Sequence, residues 1–168
     1  MAYTQPLRQV ADAFWTMLEA DATFAAAVPA ANRIKYGSTS RAPDVRRSPL
    51  PGSAPQVRIF PVKYTLANLD ATSNATFLNI VWSIQVETPD KSLWTLLDVG
   101  FRILNACAKW RSYFSTFTYA SGKTVEVNLV DVLNVEQALG TEPDQDITGW
   151  REVWQVETRL IFKASDLK

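Results

Sequence analysis

The chain has 168 residues, of which 47% are hydrophobic and 11% aromatic, and its formal net charge is zero. This length predicts one domain that buries about 70% of the surface of the unfolded chain, and the composition excludes a disordered protein. The zero net charge argues against a dedicated nucleic-acid-binding protein, because such proteins carry a basic field.

Composition also excludes several classes of catalytic site. The sequence contains no histidine, one cysteine and six glycines. Histidine-dependent nucleophilic sites, HExxH zinc sites and the commonest general base at neutral pH are therefore absent. No glycine-rich phosphate loop occurs. Cys107 falls on the apolar side of a predicted helix, where we expect a small buried side chain. We expect no enzyme, no cofactor and no metal site.

The cellular setting follows from what the sequence lacks. The opening residues have no apolar secretion signal, and the apolar runs are far shorter than the ~20 residues of a membrane span. One cysteine permits no internal disulfide, which suits a reducing compartment. We expect a soluble protein that is made in a cytoplasm and has no membrane contact.

Residues 5–28 begin with a predicted amphipathic helix. Its apolar stripe consists of Leu7, Val10, Ala11, Phe14 and Leu18. Asp21 is predicted to cap a second short helical turn, which Pro29 ends.

A loop is predicted over residues 37–55, GSTSRAPDVRRSPLPGSAP. Its prolines, glycines and serines leave no periodic apolar face, and so long a loop in a compact domain is usually functional or disordered. Arg41, Arg46 and Arg47 make it basic. Two interpretations remain: an arm that reaches a partner, or a mobile surface loop.

Residues 76–110 predict a strand that runs into a helix. Over residues 77–87, FLNIVWSIQVE, apolar and polar residues alternate with the period of a half-buried strand. Its apolar positions are Leu78, Ile80, Trp82, Ile84 and Val86. The helix is predicted to extend to about Trp110, and its apolar repeat consists of Leu93, Leu96, Leu97, Leu104 and Cys107.

Three further strands are predicted. The strand at residues 56–64 contains Pro61, which lacks a backbone donor and indicates an edge strand or a bulge. The third strand alternates through Val125, Val127, Leu129, Leu133 and Val135. The last strand places Trp154, Val156, Leu160 and Phe162 on one side. The order of elements predicts an α+β fold: a four-stranded, mainly antiparallel sheet built hairpin–helix–hairpin, with the N-terminal and crossover helices on one face.

The second face of this sheet carries more apolar residues than an open face needs. They are Phe77, Val81, Val130, Val132, Val153 and Ile161. Because the predicted helices are too few to cover them, we expect another copy of the chain to do so, with Phe77 and Val81 at the interface. Sheet twist or packing of the loop is the alternative.

Two short motifs have a structural and a functional interpretation. The segment 144–149, DQDITG, resembles the first half of a calcium loop, but Gln155 occupies the position of the glutamate that such a loop requires. The same segment also resembles a DxDxT phosphatase motif. A solvated hairpin turn is favoured. The aromatic and basic residues at 109–119 could stack on bases, but aromatic side chains that fold over the core are favoured.

Residues 18–60 resemble the opening of bacteriophage tail-terminator (tail-completion) proteins. The segment LEADATFAAAVPAANRIKYG is followed by a proline-rich loop and by PQVRIF. The resemblance extends over most of the chain by pattern: a long strand, a helix and two more strands, the last rich in aromatics. The loop is longer than in many members of that family.

The resemblance implies a non-enzymatic structural protein of the virion tail or neck. Such proteins form a ring, usually of six copies, on the last ring of the tail tube, end its polymerisation and provide the surface that joins the head. The implied partners are other copies of this chain, the tail tube protein and a head-completion or neck protein, with DNA only passing through the channel. Arg41, Arg46 and Arg47 would contact a neighbouring subunit or the tube. Glu142, Asp144 and Asp146 would line the channel or an opposing face.

Two alternatives remain. One is another neck, connector or baseplate adaptor ring of the virion. The other, from a different class, is an α+β domain that binds a small molecule between the helices and the sheet.

Overall fold

The computed structural model of the protein describes residues 6–35, 54–68, 75–88, 93–120, 122–140 and 149–163. Its helices are α1 (Pro6–Glu19), α2 (Ala22–Ala27) and α3 (Leu93–Ala108), with 3₁₀ turns at Ala30–Asn32 and Trp110–Ser112. Its strands are β1 (Arg33–Ile34), β2 (Gln56–Asn68), β3 (Ala75–Thr88), β4 (Thr116–Ala120), β5 (Lys123–Gly140) and β6 (Gly149–Lys163). None of the helices within these ranges is long and apolar enough to cross a membrane.

The strands form one sheet in the order β1-β2-β3-β6-β5-β4. All neighbouring strands are antiparallel except β1 and β2, which are parallel. The predicted α+β class and mainly antiparallel sheet are confirmed, but the predicted count of four strands was wrong. Of the two strands that were missed, β1 has two residues, too few to show a period-2 pattern. The other, β4, has five residues in a segment that was interpreted as the aromatic end of a helix.

The helices pack on one face of the sheet, here called the inner face. The ring of Phe14 on α1 lies 5.6 Å from that of Trp82 on β3 and 4.8 Å from that of Phe114. On α3, Gly100 approaches the side chain of Glu152 on β6. The buried apolar residues that the strands contribute to this face are Val57, Ile59, Ile80, Trp82, Ile84, Val86, Val125, Val127, Val130, Trp154, Val156, Leu160 and Phe162.

Bulges alter the predicted faces of β5. The register shifts between Val127 and Leu129, and again between Val132 and Asn134. Each extra residue reverses the alternation, so Val130 and Val132 join the inner face, opposite Thr158 and Val156. The prediction that these two valines lie on the outer face was wrong. Pro61 does mark a bulge in β2, between Pro61 and Lys63.

The buried side of α3 also differs from the predicted repeat. Leu96 and Cys107 are buried as expected, whereas Leu104 is 44% exposed. The residues that α3 buries are Leu96, Val99, Gly100, Ile103, Ala106 and Cys107. The prediction used leucines as the marker of the buried face, while Gly100 makes the close approach to β6 and Val99, Ile103 and Ala106 are buried beside it.

Four of the aromatic residues at 109–119 fold over the core, which agrees with the favoured interpretation. Phe114 is buried, and Trp110, Tyr113 and Phe117 pack against the hydrophobic core. Gln9 on α1 donates a hydrogen bond to the carbonyl of Thr118 (2.8 Å), which ties α1 to β4.

The two sides of the predicted 37–55 loop are held together at the sheet edge. β1 pairs with β2 through Arg33 opposite Val57 and Ile34 opposite Arg58. The buried amide of Asn32 donates to the carbonyls of Ala54 and Pro55, each at 3.1 Å. The loop therefore leaves and re-enters the fold at one edge.

Candidate assembly interface

The predicted interface residues Phe77 and Val81 lie on the outer face of β3. Phe77 is directly opposite Ile161 on β6, and Val81 is opposite Glu157 on β6 and Lys63 on β2. Both side chains are half-buried. With Val153 and Ile161, four of the six apolar residues predicted for this face do lie there. The outer face is therefore only partly apolar.

Acidic side chains occupy the β5 side of the outer face. Glu126, Asp131 and Glu136 are exposed and lie opposite Ile161, Glu157 and Val153. Asp131 directly faces Glu157, a like-charge pair that costs stability in a sheet. The basic Arg159 nearby donates a hydrogen bond to Asn79 (3.0 Å). The outer face thus has a negative strip beside its apolar positions.

A buried charge cluster occupies the other end of the outer face. Gln56, Glu87 and Arg151 lie directly opposite one another across β2, β3 and β6. Arg58 donates to Gln56 (2.6 Å) and to Glu87 (3.2 Å), and Arg151 lies 2.9 Å from the second oxygen of Glu87. Arg58 and Glu87 are buried, whereas Arg151 is a third exposed at the edge of the cluster, and buried charges of this kind are retained when they are paired. The alternation predicted solvent-facing residues here, and only the register reveals the cluster.

Two basic residues that precede the loop are used within the fold. Arg33 donates to the carbonyls of Val28 (2.8 Å) and Ala25 (2.9 Å) and pairs with Glu19 at 3.3 Å. Lys35 also pairs with Glu19 and lies 5.6 Å from the ring centre of Trp15. Burial favours the neutral form of Glu19 and by itself would raise its pKa. The two cations outweigh this effect and hold the pKa of Glu19 below its usual value. Arg33 is thus largely buried in contacts within the fold, while Lys35 stays about half exposed.

The remaining predicted interface residues lie outside the described residues. These are Arg41, Arg46 and Arg47 of the loop and Glu142, Asp144 and Asp146 of the acidic turn.

The most exposed apolar side chains lie on two elements that the predicted interface did not include. On α3, Trp94 is 79% and Phe101 69% exposed; on β2, Tyr64 is 67% and Leu66 62% exposed. The sequence contained a signal for the two α3 side chains, because Trp94 and Phe101 are seven residues apart and do not belong to the predicted apolar repeat of this helix. We name these two surfaces the α3 stripe (Trp94, Leu97, Phe101, Leu104) and the β2 end (Val62, Tyr64, Leu66).

A small pocket, a buried thiol and the placement of acidic side chains bear on a ligand site within the described residues. Among them, no group of three or more acidic or cysteine side chains could hold a metal ion. Burial raises the pKa of the Cys107 thiol to about 12, so it stays protonated at neutral pH. A pocket between α1 and the end of α3 measures about 50 Å³ and is lined by Met17, Ala20, Asp21, Ala106, Lys109 and Tyr113. Small-molecule sites usually measure about 300–1,000 Å³.

No protein-family model matches the chain, and no curated protein matches it. The structure is similar to a chain in a solved structure titled "Virion of native gene transfer agent (GTA) particle". The TM-score is 0.56 at 16% sequence identity, and the match covers 94% of this chain and 99% of that chain. At this identity the likeness shows a shared fold, and it extends over nearly the whole of both chains.

Proposed function

We propose that the protein is a structural component of a phage-like virion. The observation that carries this proposal is the fold it shares, over nearly its full length, with a chain from a gene transfer agent virion. The absence of histidine from the sequence and the protonated state of the buried cysteine agree with a role that involves no catalysis.

Within this class, the proposed role is a ring, most simply of six copies, that caps the tail tube, ends its polymerisation and provides the surface for the head. The resemblance of residues 18–60 to tail-terminator proteins supports this role. The partners would be other copies, the tail tube protein and a neck protein. Phe77 and Val81 remain candidates for one of these contacts, as do Arg41, Arg46 and Arg47.

The negative strip on the β5 side of the outer face would suit the wall of a channel through which DNA passes. Tight DNA binding comes from neutralising phosphates with basic side chains. A lumen lined by Glu126, Asp131 and Glu136, or by Glu142, Asp144 and Asp146, would repel phosphates and let DNA pass.

The experiment that tests the role combines native mass spectrometry with electron microscopy. The purified chain is examined alone and after mixing with purified tail tubes. We expect ring-shaped particles of defined copy number on tube ends. A chain that stays monomeric at high concentration and leaves the tubes bare would overturn the proposal.

A second experiment separates a tail terminator from another neck, connector or baseplate ring. Particles assembled without this chain should carry tails of uncontrolled length that lack heads, if the chain ends tube growth. Tails of normal length that only fail to join heads would assign it to the neck. Charge reversal at Arg46 and Arg47 should weaken ring formation or tube binding, and a variant that keeps both intact would remove the loop from the interface.

A further inference from the structure

Helix α3 carries two apolar faces on opposite sides. One packs on the inner face of its own sheet through Leu96, Val99 and Ile103. The other is the α3 stripe, whose members recur at the three- and four-residue spacing of a helix face. A surface helix normally has one apolar face, and a helix that is apolar on two sides is typical of a buried layer. The exposure of Trp94 and Phe101 shows that the described elements of the subunit do not supply the second cover.

The β2 end is a sheet surface that lacks a helix. By register, Tyr64 lies opposite Ile80 and Leu66 opposite Leu78, so both belong to the inner face, where the helices pack. Their exposure shows that the described helices, α1 to α3, do not reach this end. A sheet face buries its apolar residues by packing another element on them. A helix that packs on the β2 end would therefore cover its apolar side chains. A sheet face that packs on the α3 stripe would cover the apolar side chains of that stripe.

We propose that the α3 stripe of one copy packs on the β2 end of the next copy. This inference rests on the proposed ring, and it names the surfaces that join neighbours. Because the two surfaces differ, the contact is head-to-tail, and repetition of such a contact closes a ring when the rotation permits. A symmetric contact of α3 with α3 would cover one surface, leave the β2 end exposed and stop at a dimer.

The aromatic composition of the two surfaces suits the apolar centre of a larger contact. A buried aromatic side chain removes roughly 150–250 Å² from water, so Trp94 and Phe101 offer at most roughly 300–500 Å² on one partner, and Tyr64 roughly 150–250 Å² on the other. Specific interfaces bury about 800 Å² per partner around an apolar, aromatic-rich centre with a polar rim. The ion pair of Asp98 and Arg102 (2.7 Å) on α3 provides such a rim. The contact also leaves the acidic outer face uncovered.

Site-specific cross-linking tests the contact. Phe101→Cys and Leu66→Cys are prepared as separate variants and treated with a short bis-maleimide, alone and mixed. Both positions are exposed, so neither variant loses core packing. The wild-type chain is the control, because its Cys107 is buried and its thiol pKa is about 12. We expect covalent dimers only in the mixture, and a ladder up to the ring size from the double variant.

Other results would overturn the inference. Dimers from Phe101→Cys alone would show that α3 meets α3. Rings in native mass spectra with no cross-link in the mixture would place the contact between copies elsewhere, and the proposed ring would stand. Monomers under all conditions, with and without tail tubes, would overturn the ring and this inference together.

A charge variant gives a second, independent measurement. Phe101→Glu should weaken association by roughly 30-fold or more, the effect of losing a central interface residue. Ala26→Glu, which adds the same charge at an exposed position of α2, is the matched control and should associate like the wild type. Circular dichroism establishes that both variants are folded. Equal association of the two variants would contradict the proposed contact.

Discussion

Trp82 and Thr158 show how single residues specify the centre of this core. The indole Nε1 of Trp82 donates a hydrogen bond to the hydroxyl of Thr158 at 2.8 Å, and both residues are buried. A buried indole N–H requires an acceptor, which explains a threonine on the apolar side of β6.

We expect Thr158→Val to lower the free energy of unfolding by about 1–3 kcal/mol, because the shape is kept and the acceptor is lost. Urea denaturation measures the change. Thr158→Ser is the matched control, since it keeps the hydroxyl. If the valine variant is as stable as the wild type, the hydrogen bond contributes nothing net.

Gly100 marks the closest approach of α3 to the sheet. A Cβ at this position would lie 2.0 Å from the Oε2 atom of Glu152. Glu152 is itself buried, and its Oε2 accepts a hydrogen bond from the indole of Trp154 at 2.7 Å. The carboxylate therefore has little freedom to move away.

Replacing an exposed helical glycine by alanine usually stabilises a protein by up to about 1 kcal/mol. Here we expect the opposite sign: Gly100→Ala should cost about 1–3 kcal/mol through overpacking. A double-mutant cycle with Glu152→Ala checks the cause, because removing the carboxylate should abolish most of that cost. An equal cost in both backgrounds would contradict the steric explanation.

At the scale of elements, Glu19 joins α1 to β1 through its ion pairs with Arg33 and Lys35. Its folded-state pKa lies below the usual value of 4.5. The contribution to stability is therefore present above about pH 4.5 and is lost as the pH falls through the lower folded-state pKa. The nearby Asp21 caps α2 by accepting hydrogen bonds from the backbone N–H groups of Thr23 and Phe24 (each 2.9 Å). Its pKa is also lowered, first by the hydrogen bond from the Thr23 hydroxyl and then by that from the Phe24 N–H.

We expect Glu19→Gln to reduce the loss of stability between pH 5 and pH 3 relative to the wild type. Urea denaturation across this pH range measures the difference. Glu136→Gln, an exposed carboxylate of the outer face, is the control for removal of one acidic group. Identical pH profiles for Glu19→Gln and the wild type would show that the ion pairs with Glu19 do not stabilise the fold.

At the scale of the whole molecule, there are two candidate contacts between copies: one through the outer face, and one between the α3 stripe and the β2 end. The outer face presents the half-buried Phe77 and Val81, whereas the α3 stripe and the β2 end present side chains that are far more exposed. We expect the double variant Phe77→Ser, Val81→Thr to keep its ring mass in native mass spectra. Loss of the ring in this variant, with the fold intact, would return the contact between copies to the outer face.

Much of the fold could be predicted from periodicity alone. The alternation over residues 77–87 placed Trp82 and its neighbours on the inner face correctly, because that strand has no bulge in its pairing with β6. In β5 the same rule failed at Val130 and Val132, since an extra residue reverses every side chain beyond it. The candidate interface was less predictable, because exposure depends on where the helices end over the sheet.

The sequence by itself determined the α+β class, the order of the main elements and the absence of histidine chemistry, because these follow from local periodicity and residue type. Only the tertiary structure decided the strand register. That register gathers Gln56, Glu87 and Arg151 from three strands into a buried cluster. The tertiary structure also decided which apolar residues stay uncovered: Trp94 and Phe101 on the far side of α3, and Tyr64 and Leu66 beyond the helices. Burial is a property of the packed layers, and no local pattern encodes where one layer ends over another.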